Sequence, residues 1–334
     1  MKKKVLGLLM SMVMITGVLA GCGNEAKPSD DAKPSVTLKV AYMPNYGSLW
    51  SIKNAVEKGY LKEEGINVEL VEFQDGPTII AAMESGSIDV GYIGQGAHKL
   101  CINGQATIFA LSHISNGDAL IGGEGITTVK GLAGKKVAYS SGSSSEDILV
   151  NSLKLSGMTM KDIEAVDMDA SAIVTAMLSG GVDAAATWSP NSLKILEEMP
   201  KATKLADNLT FSNETVSLAS WIAMPKYAAE NKETLVKFTR GLFKAMDYAA
   251  DEHQEETAAL VAKQVAQDQK AVYEQRGDAQ WLTGKEVAKG AADGTVEKYY
   301  ELQKQKFIET KAVTSNPKVS DYVLFDVMKE AGQY

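Results

Sequence analysis

The chain has 334 residues, 45% of them hydrophobic and 23% charged, and a formal net charge of −8. It carries no long basic run, which argues against a nucleic-acid or anionic-membrane surface. Its length exceeds what one hydrophobic core usually serves, so two domains are expected.

Lys2, Lys3 and Lys4 precede an apolar run over residues 5–19 that ends in Leu19-Ala20-Gly21-Cys22, the layout of a secretory signal. The run falls short of the about 20 residues a membrane span needs. Its last four residues resemble the lipobox of bacterial lipoproteins. That resemblance implies a signal peptide over 1–21, cleavage before Cys22 and a lipid on its sulfur. The mature chain is then expected on the extracytoplasmic face of the cell membrane, held only by the lipid. Residues 22–35 are rich in Pro, Ser and charge without apolar periodicity and read as a flexible tether. With Cys22 acylated, Cys101 has no partner, and its place in Leu100-Cys101-Ile102 suits a buried small hydrophobe.

From Val36 onward strand and helix signals alternate. Residues 36–42 read as a strand, 49–58 as a helix stopped by Gly59, and 68–73 as a strand; Pro77 opens a short helix that Gly86 stops before a strand over 88–93. This is a parallel α/β pattern. It recurs: Lys39-Val40-Ala41-Tyr42 returns as Lys136-Val137-Ala138-Tyr139. Likewise Ala82-Met83-Glu84-Ser85-Gly86 returns as Ala176-Met177-Leu178-Ser179-Gly180. Duplication, or convergence of two βαβ units on the same helix stop, implies two alike lobes. Beyond Ser220, a strand-like 221–224 leads into amphipathic helices over 225–231, 233–251, 255–267, 296–307 and 323–331. Lobe one is therefore expected as 36–117 plus 221–334 and lobe two as 118–220. Two crossings, near Ser115-Asn116-Gly117 and Ser217-Leu218-Ala219-Ser220, would form a double hinge.

The lipobox, the Val40-Ala41-Tyr42-Met43-Pro44 opening, the Gly86–Gly94 segment, Val129–Val137 and Val182–Trp188 together resemble the nitrate/sulfonate/taurine-type periplasmic binding proteins over nearly the whole mature chain. The resemblance implies a type II periplasmic-binding fold: two Rossmann-like lobes, a double hinge, a helical C-terminal part and one small ligand in the interlobe cleft. It also implies an ABC permease and its ATPase as partners, no cofactor, and a monomer. Family ligands include alkanesulfonates, taurine, nitrate and thiamine precursors.

Ligands of open α/β sheets sit beyond the carboxyl ends of the strands. That rule selects Asn45 and Tyr46 after the first strand, Tyr92, Gly94 and Gln95 at the third, and Ser141, Gly142, Ser143 and Ser144 in lobe two. It also selects Trp188 and Ser189. The Ser/Gly loop opens a helix, so its amides suit an anionic head group, the role the matching loop has in sulfonate binders. Ser143 with Glu146 also reads as a capping box that uses the same donors internally. The loops offer no cation beyond Lys99, while Asp118 and Glu146 are candidates to face the cleft. With Tyr46, Tyr92 and Trp188 these carboxylates suit a cationic or zwitterionic amine instead. The ligand is thus a small polar molecule of the sulfonate/taurine class or an amine. A pyrimidine synthase of thiamine biosynthesis shares the fold, but His98, His113 and His253 have no cysteine cluster beside them and no metal-ligand spacing occurs. His98 and His113 read as structural and His253 as solvated.

Overall fold

The computed structural model describes residues 35–334. The expected signal peptide over 1–21, the expected lipid attachment at Cys22 and the expected tether before Ser35 lie outside the described residues.

Among the described residues, β1 (Val36–Tyr42), β2 (Ile66–Glu72), β3 (Val90–Ile93), β4 (Thr107–Ser115), β5 (Asp118–Gly122) and β6 (Lys136–Tyr139) are followed by β7 (Glu164–Asp167), β8 (Ala184–Trp188), β9 (Thr203–Asp207), β10 (Leu218–Ala223) and β11 (Ala279–Gln280). They form a six-stranded sheet of order β11-β4-β10-β3-β1-β2 and a five-stranded sheet of order β7-β6-β8-β5-β9. In the first, β1 runs parallel to β2 and β3, and β10 antiparallel to β3. The second repeats this with β6 parallel to β7 and β8, and β5 antiparallel to β8. In both sheets the antiparallel strand is the one that enters from the other sheet, β5 following β4 and β10 following β9.

The repeated sequence segments hold these units in register by matching bonds. The Lys39 amide donates to Asp89 Oδ2 at 2.8 Å, and the Lys136 amide to Asp183 Oδ2 at 2.8 Å. Phe73 donates to the Tyr42 carbonyl at 2.9 Å and Met168 to the Tyr139 carbonyl at 3.0 Å. Asp75 caps the helix Gly76–Glu84 and Asp169 caps Ala170–Leu178. Gly86 and Gly180 follow those helices at φ of 76° and 70°, the left-handed turn that a Cβ would disfavour. The first helix begins at Tyr46, earlier than its apolar spacing suggests, because Asn45 caps it by accepting from the Ser48 amide at 2.8 Å.

Side chains alternate across the five-stranded sheet, so both faces are covered. Leu120, Val137 and Ala186 meet Ile148, Leu149 and Leu153 of the helix Ser144–Leu155 on one face. Ala119, Ile121, Ala138 and Ala185 meet Ile173, Val174 and Met177 on the other. The six-stranded sheet shares one larger core with the C-terminal helices; Phe238 of Lys232–Ala249 packs edge-on against Phe109 and Trp221. The helices Gln254–Val265, Thr295–Glu309 and Phe325–Ala331 fall where amphipathic spacing puts them. The two-residue β11, too short for any periodicity, pairs with Ser115 and Ile114 of β4.

Because Leu120 is fully buried between β5 and the helix Ser144–Leu155, Leu120→Ala is expected to cost about 2–5 kcal/mol. Chemical denaturation read by circular dichroism checks this.

Candidate functional site

Strand-end loops of both sheets converge on a cleft of about 650 Å³ when its open mouth is counted. From the six-stranded half come Met43, Asn45, Gly47, Gly94, Gln95 and His113. The five-stranded half adds Asp118, Ser143, Ser144, Trp188 and Ser189. A third contribution, Gln275, Asp278 and Trp281, flanks β11.

The cleft's ionisable lining is acidic. Asp118 Oδ1 accepts from Ser144 Oγ at 2.5 Å and Oδ2 from Asn208 Nδ2 at 2.8 Å, yet burial raises its pKa above the usual carboxylate range. Burial, with the nearby Asp118 adding to it, pushes Asp278 up to about 6. His113 touches Ser112 Oγ at 3.1 Å and Tyr92 Oη at 3.4 Å, and burial lowers it to about 3, so it stays neutral. Among the described residues, no lysine or arginine lines the cleft.

Aromatic rings frame these acids. Trp281 lies 4.8 Å from His113, 5.0 Å from Trp50 and 5.0 Å from Tyr46, centroid to centroid. Tyr92 stacks on His113 at 6.0 Å. Tyr92, Trp188 and Trp281 therefore line the cleft beside the two carboxylates.

The Ser/Gly loop is largely satisfied from within. The Ser141 amide donates to Asp167 Oδ1 at 3.0 Å, Gly142 to Glu146 Oε2 at 2.9 Å, and Ser143 to the Ser140 carbonyl at 3.4 Å. Ser143 Oγ caps the helix by accepting from the Ser145 amide at 3.2 Å. The expected capping box is thus replaced by a longer reach, since Glu146 takes the Gly142 amide rather than that of Ser143. The amides of Ser141, Gly142 and Ser143 are thus already engaged within the chain.

Of the residues selected from sequence, Asn45, Tyr92, Gly94, Gln95, Asp118, Ser143, Ser144, Trp188 and Ser189 line the cleft. Tyr46, Ser141, Gly142 and Glu146 do not. The Tyr46 ring is buried behind Trp281, its amide donating to Gln275 Oε1 at 2.9 Å. Ser141 is exposed, Gly142 takes a left-handed φ of 73°, and Glu146 turns to Lys99. His98 bonds Gln303 Oε1 at 2.7 Å inside the core, and Trp221 is likewise buried away from the cleft. His113 lies within β4 and lines the site. The strand-end rule passes over Gln275, Asp278 and Trp281 because they follow no long strand. Their one sequence signal is Asp278 and Trp281, a carboxylate and an indole, in a short break between helices.

Across the seam, Lys99 Nζ lies 3.0 Å from Asp147 Oδ1 and 3.4 Å from Glu146 Oε2. Gly96 packs directly on backbone: a Cβ there would sit 2.0 Å from the Ser143 carbonyl carbon. Among the described residues, no group of three or more His, Cys, Asp and Glu side chains is placed to hold a metal ion.

The alkanesulfonate-binding protein SsuA of Xanthomonas axonopodis pv. citri, solved with MOPS bound, superimposes with a TM-score of 0.66 at 20% identity. The match covers 86% of this chain and 98% of that one. Two sheets with paired crossings are the fold of the periplasmic binding proteins, as the resemblance read from sequence implies. Residues 51–256, more than half of the chain, match the NMT1/THI5-like family, and the protein belongs to it. A Brucella abortus protein named as a binding protein is 29% identical over 299 residues, 90% of this chain and 93% of its own. A Bacillus subtilis protein named for binding aliphatic sulfonates is 28% identical over 276 residues, 79% and 80% of the two chains. The 4-amino-5-hydroxymethyl-2-methylpyrimidine phosphate synthase of Aspergillus parasiticus is 26% identical over 216 residues, 59% and 62% of the two.

Since the seam leaves no room at Gly96, Gly96→Ala is expected to hold the two halves apart. Calorimetry with any ligand of the wild type should then read an affinity loss of about tenfold or more, equivalent to about 1.4 kcal/mol. The melting temperature of the empty protein should hardly change.

Proposed function

We propose that the protein is the extracytoplasmic solute-binding component of an ABC importer and that its cleft takes a small organic ligand carrying a cationic nitrogen. In this reading residues 36–117 and 221–334 form one lobe, 118–220 the other, and the two close on the ligand as rigid bodies about the crossings. A lipid on Cys22 anchors the chain, which works as a monomer and hands its cargo to a permease and its ATPase. Binding rather than catalysis is favoured: the similar proteins named as binding proteins match most of the chain, and His113 at the cleft is buried and neutral.

The observation that supports the ligand class is the pair Asp118, buried, and Asp278, half-buried, on one cleft whose lining, among the described residues, includes no lysine or arginine. A buried carboxylate without a counterion is costly, and a ligand ammonium offsets that cost by a charge-assisted hydrogen bond and by cation–π contact with Trp188, Trp281 or Tyr92. An alkanesulfonate is the second reading, favoured by the name of the Bacillus subtilis relative and opposed by the engaged amides of the 140–145 loop.

A thermal-shift screen of primary and quaternary amines, taurine, alkanesulfonates, nitrate and thiamine precursors separates the two readings. A true ligand at about 100 Kd adds about 2.7 kcal/mol to folded-state stability. Amines are expected to raise the melting temperature; a shift with sulfonates alone would reverse the assignment.

Asp278→Asn should weaken amine binding about 10- to 100-fold, the equivalent of the about 1.5–3 kcal/mol of a hydrogen bond to a charged group. Cation binding also draws the Asp278 carboxyl below its free value of about 6. Affinity is therefore full above that pH and falls as pH drops through it, by up to about tenfold per unit. Calorimetric titration across pH 5 to 8 reads both effects, and an affinity that rises on acidification would contradict the assignment.

A further inference from the structure

We propose that Asp118 and Asp278 form a charge gate across the chain crossing: their repulsion opposes closure of the empty protein, and a cation seated between them brings the halves together. The gate builds on the amine reading above but concerns the motion rather than the affinity.

The two carboxylates belong to opposite halves. Asp278 is tied to the six-stranded half, where the Asn116 amide donates to its carbonyl at 2.5 Å and the next residue, Ala279, pairs with Ser115 of β4. Asp118 is tied to the five-stranded half by Ser144 Oγ and Asn208 Nδ2, which donate to its two oxygens. Only Gly117 stands between Asn116 and Asp118, and a Cβ on that glycine would meet the Asp278 Cβ at 3.3 Å. Rotation about residues 116–117 therefore changes the separation of two like charges in a setting that screens them poorly.

The surroundings leave the pair uncompensated. Lys204, the cation nearest Asp278 in electrostatic effect, lies 3.1 Å from Asp207, and Lys99 is held by Asp147 and Glu146. Asp278 Oδ2 and Asn116 Oδ1 are buried without a hydrogen-bond partner, while Ser189, only 6% exposed, stands beside the Asp278 carboxylate as its hydroxyl donor. Both are oxygens that can only accept, as the N–H groups of an ammonium require and as a sulfonate does not. A cation that fills this position satisfies the orphaned oxygens and cancels the repulsion in one step. Loaded and empty protein then differ in shape, which is the difference a transporter can read.

The test is hydrogen exchange on the full chain at neutral pH, read at the seam peptides 94–99 and 141–147. Empty Asp278→Asn and Asp278→Lys proteins are expected to exchange several-fold more slowly there than the empty wild type. The wild type should reach that protection only with ethanolamine or a diamine bound. Seam exchange in both variants equal to that of the empty wild type overturns the gate. Should Asp278→Asn fail to fold, Asp118→Asn carries the same comparison. If the variants close while no amine protects the wild type, the gate holds and the ligand assignment falls. If amines protect the wild type while the variants stay open, the ligand assignment holds and the gate falls.

Discussion

The Ser115 amide donates to the Ser217 carbonyl at 2.7 Å, and this bond ties together the two places where the chain passes between its sheets. Much else is positioned by it. Two crossings held side by side oblige each sheet to receive its antiparallel fourth strand from the other, which fixes the strand orders. They also turn the carboxyl ends of the parallel strands of both sheets toward a common space, so loops from both sheets meet there. β11 adds to the same crossing strand and brings Asp278 and Trp281 with it.

Much of this architecture is legible in the sequence because it is local. The Lys-Val-Ala-Tyr repeats, Gly86 and Gly180 encode strand, helix and stop within one short stretch of chain each, from Lys39 to Gly86 and from Lys136 to Gly180, where period and turn chemistry carry the signal. The strand-end rule then reaches Asn45, Tyr92, Gly94, Gln95, Asp118, Ser143, Ser144, Trp188 and Ser189 without knowledge of any contact. Tyr46 escapes the rule because a helix starting at that residue turns its ring inward. Glu146 escapes it because a partner 47 residues away in sequence, Lys99, draws the carboxylate to the seam. Gln275, Asp278 and Trp281 were beyond reach, since a two-residue strand has no periodicity and its pairing with β4 spans more than 160 residues of chain.

Fold and ligand are separate matters in this family, where one architecture carries many chemistries. Here the discriminating information is electrostatic. A loop rich in serine and glycine looks ready for an anion, yet Asp167, Glu146 and the Ser140 carbonyl take up its amides. The neighbouring carboxylates, by contrast, sit without a positive partner in surroundings that raise their pKa. Which donors are already spent and which acceptors are not says more about the occupant than residue type alone.

The placement of β10 has a consequence for the order in which the protein is made. A nascent chain emerges from its N-terminus, and the first sheet lacks a strand between β3 and β4 until residues 218–223 have been synthesised. The whole five-stranded half is translated inside that gap. The carboxylate and indole supplied around β11 arrive later still, so a growing polypeptide ending before residue 278 has strand-end loops but neither Asp278 nor Trp281. Pairing over such distances is slow. The chain therefore stays without a completed cleft through most of its translation.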